Sequence, residues 1–166
     1  MIAIREAVPA DIPFIMETER LDGNDRLISQ WSAEQHRAGL EDRSMAHLIG
    51  WAGGERLGFC LIEDLAGSWG NVKLRTMAVA RPGEGAGGRI LPLVIGWVFG
   101  WEETHRFYLH ARGDNERALR CYRRAGFVEE GRDRESFLLP DGARTDMVNL
   151  SILRPEWAAL SSASAG

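Results

Sequence analysis

Cysteine is scarce. The chain has two, Cys60 and Cys121, each inside an apolar segment and neither spaced as a metal ligand. A disulfide framework and a zinc-cysteine site are therefore not expected, and both thiols read as reduced and buried, as in a cytoplasmic protein. Long apolar runs are also missing. None approaches about 18 residues, so no transmembrane helix and no membrane partner are expected. The start, MIAIREAV, lacks the basic region and long apolar stretch of a signal peptide. Broad positive charge is absent too, and a net charge of −4 argues against a nucleic-acid partner. Lysine is almost lacking, since 19 of the 20 basic residues are arginine, and no function is read from that.

What is present fits an ordinary soluble domain. With 166 residues, 45% hydrophobic and 27% charged, the chain can bury a full core. It shows no repeat and no linker, so one domain is expected over 1–157. The small, polar stretch 158–166 reads as a disordered tail. Residues 1–50 carry nine acidic and five basic side chains, whereas 81–134 carry ten basic and eight acidic. That asymmetry would suit a cationic acceptor and an anionic cofactor, and would equally arise from scatter.

Local patterns give the element order. IAIREAV alternates as a strand, and PADIPFIMETERL reads as a helix with Asp11 as N-cap and Pro13 in its first turn. Ser32 and Gln35 form a capping-box pattern for a second helix. Two strands flank the turn Gly53-Gly54, and VKLRTMAV is a further strand. RILPLVIGWVF has helical spacing, with Pro92 near enough to its start to be tolerated. RFYLHAR is a strand. DNERALRCYRRAGF is a helix started by Asp114 or Asn115 and ended by Gly126. FVEEGRDRESFLL and RTDMVNLSIL close the chain as strands around PDGA. The order β-α-α-β-β-β-α-β-α-β-β predicts an α+β fold around a mixed, mostly antiparallel sheet.

The stretch VARPGEGAGGRILPLVIGWVF places a glycine-rich turn between a strand and a helix. Glycines at 83, 85, 87 and 88 let backbone approach a ligand, and a helix N-terminus favours an anion. By itself the pattern fits a pyrophosphate site and a plain turn equally. It lacks the Lys-Ser/Thr ending of a nucleotide P-loop, because Arg89 and Ile90 follow Gly88, and it lacks βαβ alternation.

Three blocks resemble the GNAT superfamily of acetyl-CoA-dependent N-acetyltransferases, and most of all the branch of ribosomal-protein alanine and spermidine N-acetyltransferases. GEGAGGRILPLVIGWVF is similar to that family's pyrophosphate loop and following helix. HRFYLHARGDNERALRCYRRAGFVEEG is similar to its next strand and helix, with Asn115, Ala118, Tyr122 and Gly126-Phe127 at the family spacing. DGARTDMVNLSILRPEW is similar to its closing hairpin. With IREAVPADIPFI the resemblance covers nearly the whole chain. One departure is Pro82, where the family usually has Gln or Arg.

The resemblance implies a GNAT fold and acetyl transfer to a primary amine, by direct attack through a tetrahedral intermediate. The acceptor would be a small amine, a polyamine or a protein N-terminus. Acetyl-CoA would be the cosubstrate, no metal is implied, and a homodimer follows by analogy alone. Backbone of Gly83, Glu84, Gly85, Ala86, Gly87, Gly88 and Arg89 would meet the phosphates, with Arg89 adding a cation or standing exposed. Met77, Ala78 and Val79 would offer backbone to the pantetheine chain and acetyl carbonyl, where the family's strand bulges and splays from its neighbour.

Acetyl transfer needs a neutral amine, a donor for the developing oxyanion and a proton for the leaving thiolate. The resemblance places Tyr122 as that proton donor, and a phenol with pKa near ~10 is protonated at neutral pH. Tyr122 also belongs to an apolar helix stripe, which would account for it by packing. Asn115 would bond the pantetheine arm or the acceptor region, and also serves as an N-cap. His110 is a candidate base or a substrate-orienting residue, because a histidine with pKa near ~6.5 accepts protons at neutral pH. His36, His47 and His105 read as structural. The acceptor pocket would draw on the first two helices, their link LDGNDRLISQW and the last hairpin, with Asp22, Asp25 and Trp31 as contacts for a cationic or apolar amine. The competing readings are a catalytically silent acyl-CoA-binding module and a nucleotide-binding protein, the latter disfavoured by the missing Lys-Ser/Thr.

Overall fold

Alternating and helical patterns in the sequence become seven strands and five helices in a computed structural model, which describes residues 1–67 and 69–163. The strands are β1 (Ile2–Glu6), β2 (Ala46–Ala52), β3 (Glu55–Glu63), β4 (Asn71–Val79), β5 (Arg106–Arg112), β6 (Val128–Leu138) and β7 (Arg144–Leu153). The helices are α1 (Ile12–Glu19), α2 (Ala33–Glu41), α3 (Ala86–Phe99), α4 (Glu116–Arg124) and α5 (Arg154–Ala163). One sheet runs in the order β1-β2-β3-β4-β5-β7-β6. Every pair is antiparallel except β4 and β5. The architecture is the expected one: a mixed, mostly antiparallel sheet flanked by helices.

The parallel pair matters most. β4 and β5 are joined only at Asn71–Lys73 against Arg106–Tyr108, and beyond that the strands have no mutual register. β4 also carries a bulge: Leu61 of β3 faces Thr76 and Ile62 faces Leu74, leaving Arg75 as the extra residue. An extra residue bends and twists a strand locally. The result is a slot between the C-terminal halves of β4 and β5.

Each sheet face has its own core. α3 and α4 cover one face with Ile90, Leu91, Val94, Val98 and Leu119, against Phe107, Leu109 and Val148 of the sheet. Ile15, Ile49, Phe59 and Ala78 form a smaller cluster beneath α1 and α2. Along β5, Phe107, Leu109 and Ala111 are buried in the first core. Strand alternation therefore sends Tyr108, His110 and Arg112 to the opposite face.

Several local signals act as read. Gly53 and Gly54 have φ of 59° and 83°, as a two-residue hairpin turn with both central residues left-handed requires. Ser32 and Gln35 bond reciprocally as a capping box. Asn115, of the two candidates, caps α4, its side chain accepting from Ala118 N at 3.2 Å. Asp11 behaves differently from the expected N-cap and makes no side-chain capping bond to α1. It ends a short 3-10 turn at Pro9–Asp11 and serves as an ion-pair centre instead. Arg5 Nη1 and Nη2 donate to it at 2.7 and 2.9 Å, Val8 N donates at 2.9 Å, and Arg56 lies at 3.1 Å. Burial pushes its carboxyl up, but the bonds from Arg5 and Val8 and the charges of Arg5 and Arg56 hold it below the ordinary range.

Two further features depart from the sequence reading. Pro92 is the seventh residue of α3, not a first-turn residue, so the carbonyl four residues back lacks its helical N–H partner. The stretch expected as a tail from 158 is helical to Ala163, and residues 164–166 lie outside the described residues. Pro155 starts α5 favourably, Glu156 accepts from Leu153 N at 2.8 Å, and Trp157 stacks on Phe99 with centroids 5.1 Å apart.

Candidate active site

The slot between β4 and β5 opens into a cavity of about 730 Å³. One end lies on the α3–α4 face, where the glycine loop enters α3. Gly83 and Gly85 have φ of 95° and 77°, so glycine is needed there for backbone conformation. A Cβ at Gly83, Gly85 or Gly88 would meet no atom within 4 Å, so this surface is open backbone. The first turn of α3 adds N–H groups without intrahelical partners. Such a concave array of amides suits a diphosphate.

Gly83, Gly85, Ala86, Gly87 and Gly88 line the cavity; Glu84 and Arg89 do not. Both are exposed, and neither side chain is needed for an amide-lined anion site. The cations at this end come from α4: Arg117, Arg120 and Arg124 line the cavity, spaced i, i+3, i+7 along one helix face. Arg120 pairs with Glu116 at 3.0 Å. Arg117 and Arg124 make no ion pair among the described residues. The sequence reading missed these arginines, although their spacing after the Asn115 cap was visible.

At the apex of the slot Met77, Ala78 and Val79 line one wall and Asn115, Cys121 and Tyr122 the other. Asn115 uses its side-chain oxygen for the cap, which leaves its amide nitrogen for a ligand. The Tyr122 ring packs edge-on to Phe127 at 5.9 Å and is half-buried. Burial raises its phenol pKa, and the nearby Cys60 and Cys121 thiols add to the rise. Tyr122 therefore keeps its proton throughout the neutral range. Cys60 is buried as expected, but Cys121 is only half-buried and lines the cavity; both are free thiols, and burial raises both pKa values.

The far end opens on the other face. His110, Arg112, Lys73 and Arg75 line it, with Ile28 and Phe137 as apolar walls. His110 is exposed, with its ring 5.7 Å from that of Tyr108 and Asn149 opposite it on β7. Asn24 is buried and ties this end together: its amide donates to Thr18 O at 2.9 Å and to Val79 O at 3.1 Å. Asp22, Asp25 and Trp31, the expected acceptor contacts, are absent from the lining. Asp22 and Asp25 are exposed on the α1–α2 segment, and Asp25 accepts from Gly23 N at 3.2 Å.

Trp31 instead packs inward against His36 and His47, with centroids 5.4 and 6.2 Å away. His36 Nδ1 and His47 Nε2 are 3.3 Å apart, and His36 Nε2 lies 3.3 Å from Glu19, all three side chains being buried. His105 is exposed and away from the cavity. No group of metal-ligating side chains occurs among the described residues, and no helix there is long and apolar enough to cross a membrane.

Residues 12–127 match the Acetyltransferase (GNAT) family. No curated protein matches the chain. Among solved structures, a spermidine N-acetyltransferase from Vibrio cholerae in complex with CoA and spermine aligns with a TM-score of 0.84 at 18% identity, over 95% of this chain and 98% of that one. A dodecameric structure of spermidine N-acetyltransferase from Vibrio cholerae in an intermediate state aligns with a TM-score of 0.79 at 21% identity, over 94% and 95%. At such identities the likeness is one of fold.

Proposed function

From the premise that the chain belongs to the GNAT acetyltransferase family, we propose how its slot transfers an acetyl group from acetyl-CoA to a primary amine. Acetyl-CoA is the cosubstrate of that activity. The observation that carries the site assignment is the joining, in one cavity, of the open glycine loop, the unpaired ends of β4 and β5, and Tyr122.

In this reading the amides of Gly83 to Gly88 and the α4 arginines hold the phosphates. The β4 wall, Met77 to Val79, bonds the pantetheine arm and offers an N–H to the acetyl oxygen, where negative charge develops. Asn115 donates its amide to the same arm. The amine attacks from the open face. Tyr122, protonated at neutral pH, gives its proton to the departing sulfur and is reprotonated from solvent as the products leave. His110 takes the proton the amine releases, directly or through water. A homodimer, and a place in the cytoplasm, are further proposals by analogy; light scattering in solution checks the first and fractionation the second.

The test is thiol release from acetyl-CoA across a panel of amines. Tyr122→Phe should lower kcat about 100-fold, within the range for losing a general acid, with acetyl-CoA affinity unchanged. Equal turnover by the variant would remove Tyr122 from the chemistry. Tight acetyl-CoA binding without turnover of any amine would favour the silent module instead.

A further inference from the structure

The charge of the acceptor end is not what a polycation needs. Among the described residues none that lines the cavity is a carboxylate, whereas Lys73, Arg75 and Arg112 face its open end together with His110. The carboxylates behind these cations are already used. Glu63 serves two of them at once: Lys73 Nζ lies 3.4 Å from its Oε2, and Arg75 pairs with its Oε1. Arg112 pairs with Asp114 at 2.5 Å, donates to Arg26 O and lies over the Phe137 ring at 5.1 Å. Arg75 is held over Trp31 at 4.9 Å.

Other carboxylates on this face point to other partners. Asp64 accepts from Tyr108 at 3.5 Å, Glu130 from Arg106 and Ser151, and Asp133 from Asn149 at 3.3 Å. The lining itself therefore holds three cations that share two carboxylates, Glu63 and Asp114, both set behind it; Asp64 and Asp133 bond the neutral Tyr108 and Asn149 and do not line the cavity.

We infer that the acceptor is a small amine carrying a carboxylate, which Lys73 and Arg75 hold, and not a polyamine. This rests on the acetyl-transfer reading above. Two physical effects favour it. A carboxylate between Lys73 and Arg75 supplies the second anion that Glu63 cannot give, through charge-assisted bonds. A polyamine meets like charge at the same place, which costs affinity.

The experiment compares kcat/KM for β-alanine, 4-aminobutyrate and aspartate with that for putrescine and spermidine, by thiol release from acetyl-CoA. The expected result is at least a tenfold preference for a carboxylate-bearing amine. In Lys73→Glu, and separately in Arg75→Gln, that preference should fall about tenfold while KM for acetyl-CoA holds. The wild-type ratio needs no variant, so a misfolded variant leaves the test intact. A polyamine used as well as or better than the acids, or a preference that survives both substitutions, overturns the inference and leaves acetyl transfer standing. No thiol from any amine, with acetyl-CoA still bound, sinks the transfer reading and this inference with it.

Discussion

The two ends of the slot are built by different means. The end proposed for the cofactor comes from two short segments, the loop at 83–88 and helix α4, each of which presents its groups by local geometry. Positive φ at Gly83 and Gly85, the α3 N-terminus and a 3.6-residue arginine stripe all follow from neighbouring residues. The end proposed for the acceptor instead gathers Ile28, Lys73, His110, Phe137 and Met147 from five separate parts of the chain. Its shape depends on the bulge at Arg75, on where β4 and β5 part, and on Asn24 bridging Thr18 and Val79. A diphosphate can be met by one piece of backbone, whereas an acceptor is met by surfaces that only folding brings together.

Substitutions can break that contrast. The largest effect is expected at Gly58, under the wall both ends share. A Cβ there would collide with the Ala78 carbonyl oxygen and lie 2.9 Å from Val79 Cα, both backbone atoms of β4. Gly58→Ala should cost about 3 kcal/mol of stability in a denaturant titration and weaken acetyl-CoA binding and turnover together. A variant as stable as the parent would show that β4 is free to move.

The next effect belongs to the support of the acceptor end. Burial, with the neighbouring His36, lowers the His47 pKa from 6.5 to about 4. Below pH 6.5 the unfolded chain therefore takes up a proton that folded His47 refuses. This loss of stability begins as pH falls through 6.5 and is complete near 4. Between pH 6.5 and 5 it should amount to about 2 kcal/mol. His47→Gln should flatten that part of a stability-against-pH curve; an unchanged slope assigns the titration to another group.

The smallest effect is at the cofactor end, where charges are exposed and screened. Removing Arg117 and Arg120 together should raise KM for acetyl-CoA about three- to tenfold and leave kcat alone, with a weaker salt dependence. A change in kcat would instead connect α4 charge to the chemistry.

Legibility in the sequence followed the same division. The element order as far as β7, the Gly53-Gly54 turn, the Ser32-Gln35 box and the Asn115 cap were readable, because each depends on residues within a few positions; α5 was not. Asp11 was misread because its partners Arg5 and Arg56 lie on different strands, and tertiary ion pairing prevailed over capping. Asp22 and Asp25 looked suited to a cationic acceptor, yet they point to solvent. Nothing in the strand pattern marks Lys73 and Arg75 for the cavity, because the bulge at Arg75 sets where they face.

By itself the sequence determined the seven strands and the first four helices, among them the one that carries Tyr122, and the open glycine loop, since these rest on backbone preferences and spacing along one segment. The tertiary structure alone decided that β4 and β5 part after three residues, that His36 and His47 meet beside Glu19, and that the open end is lined by cations. Those outcomes depend on register and on packing across the sheet, where residues far apart in the chain share one local field and one set of hydrogen-bond partners.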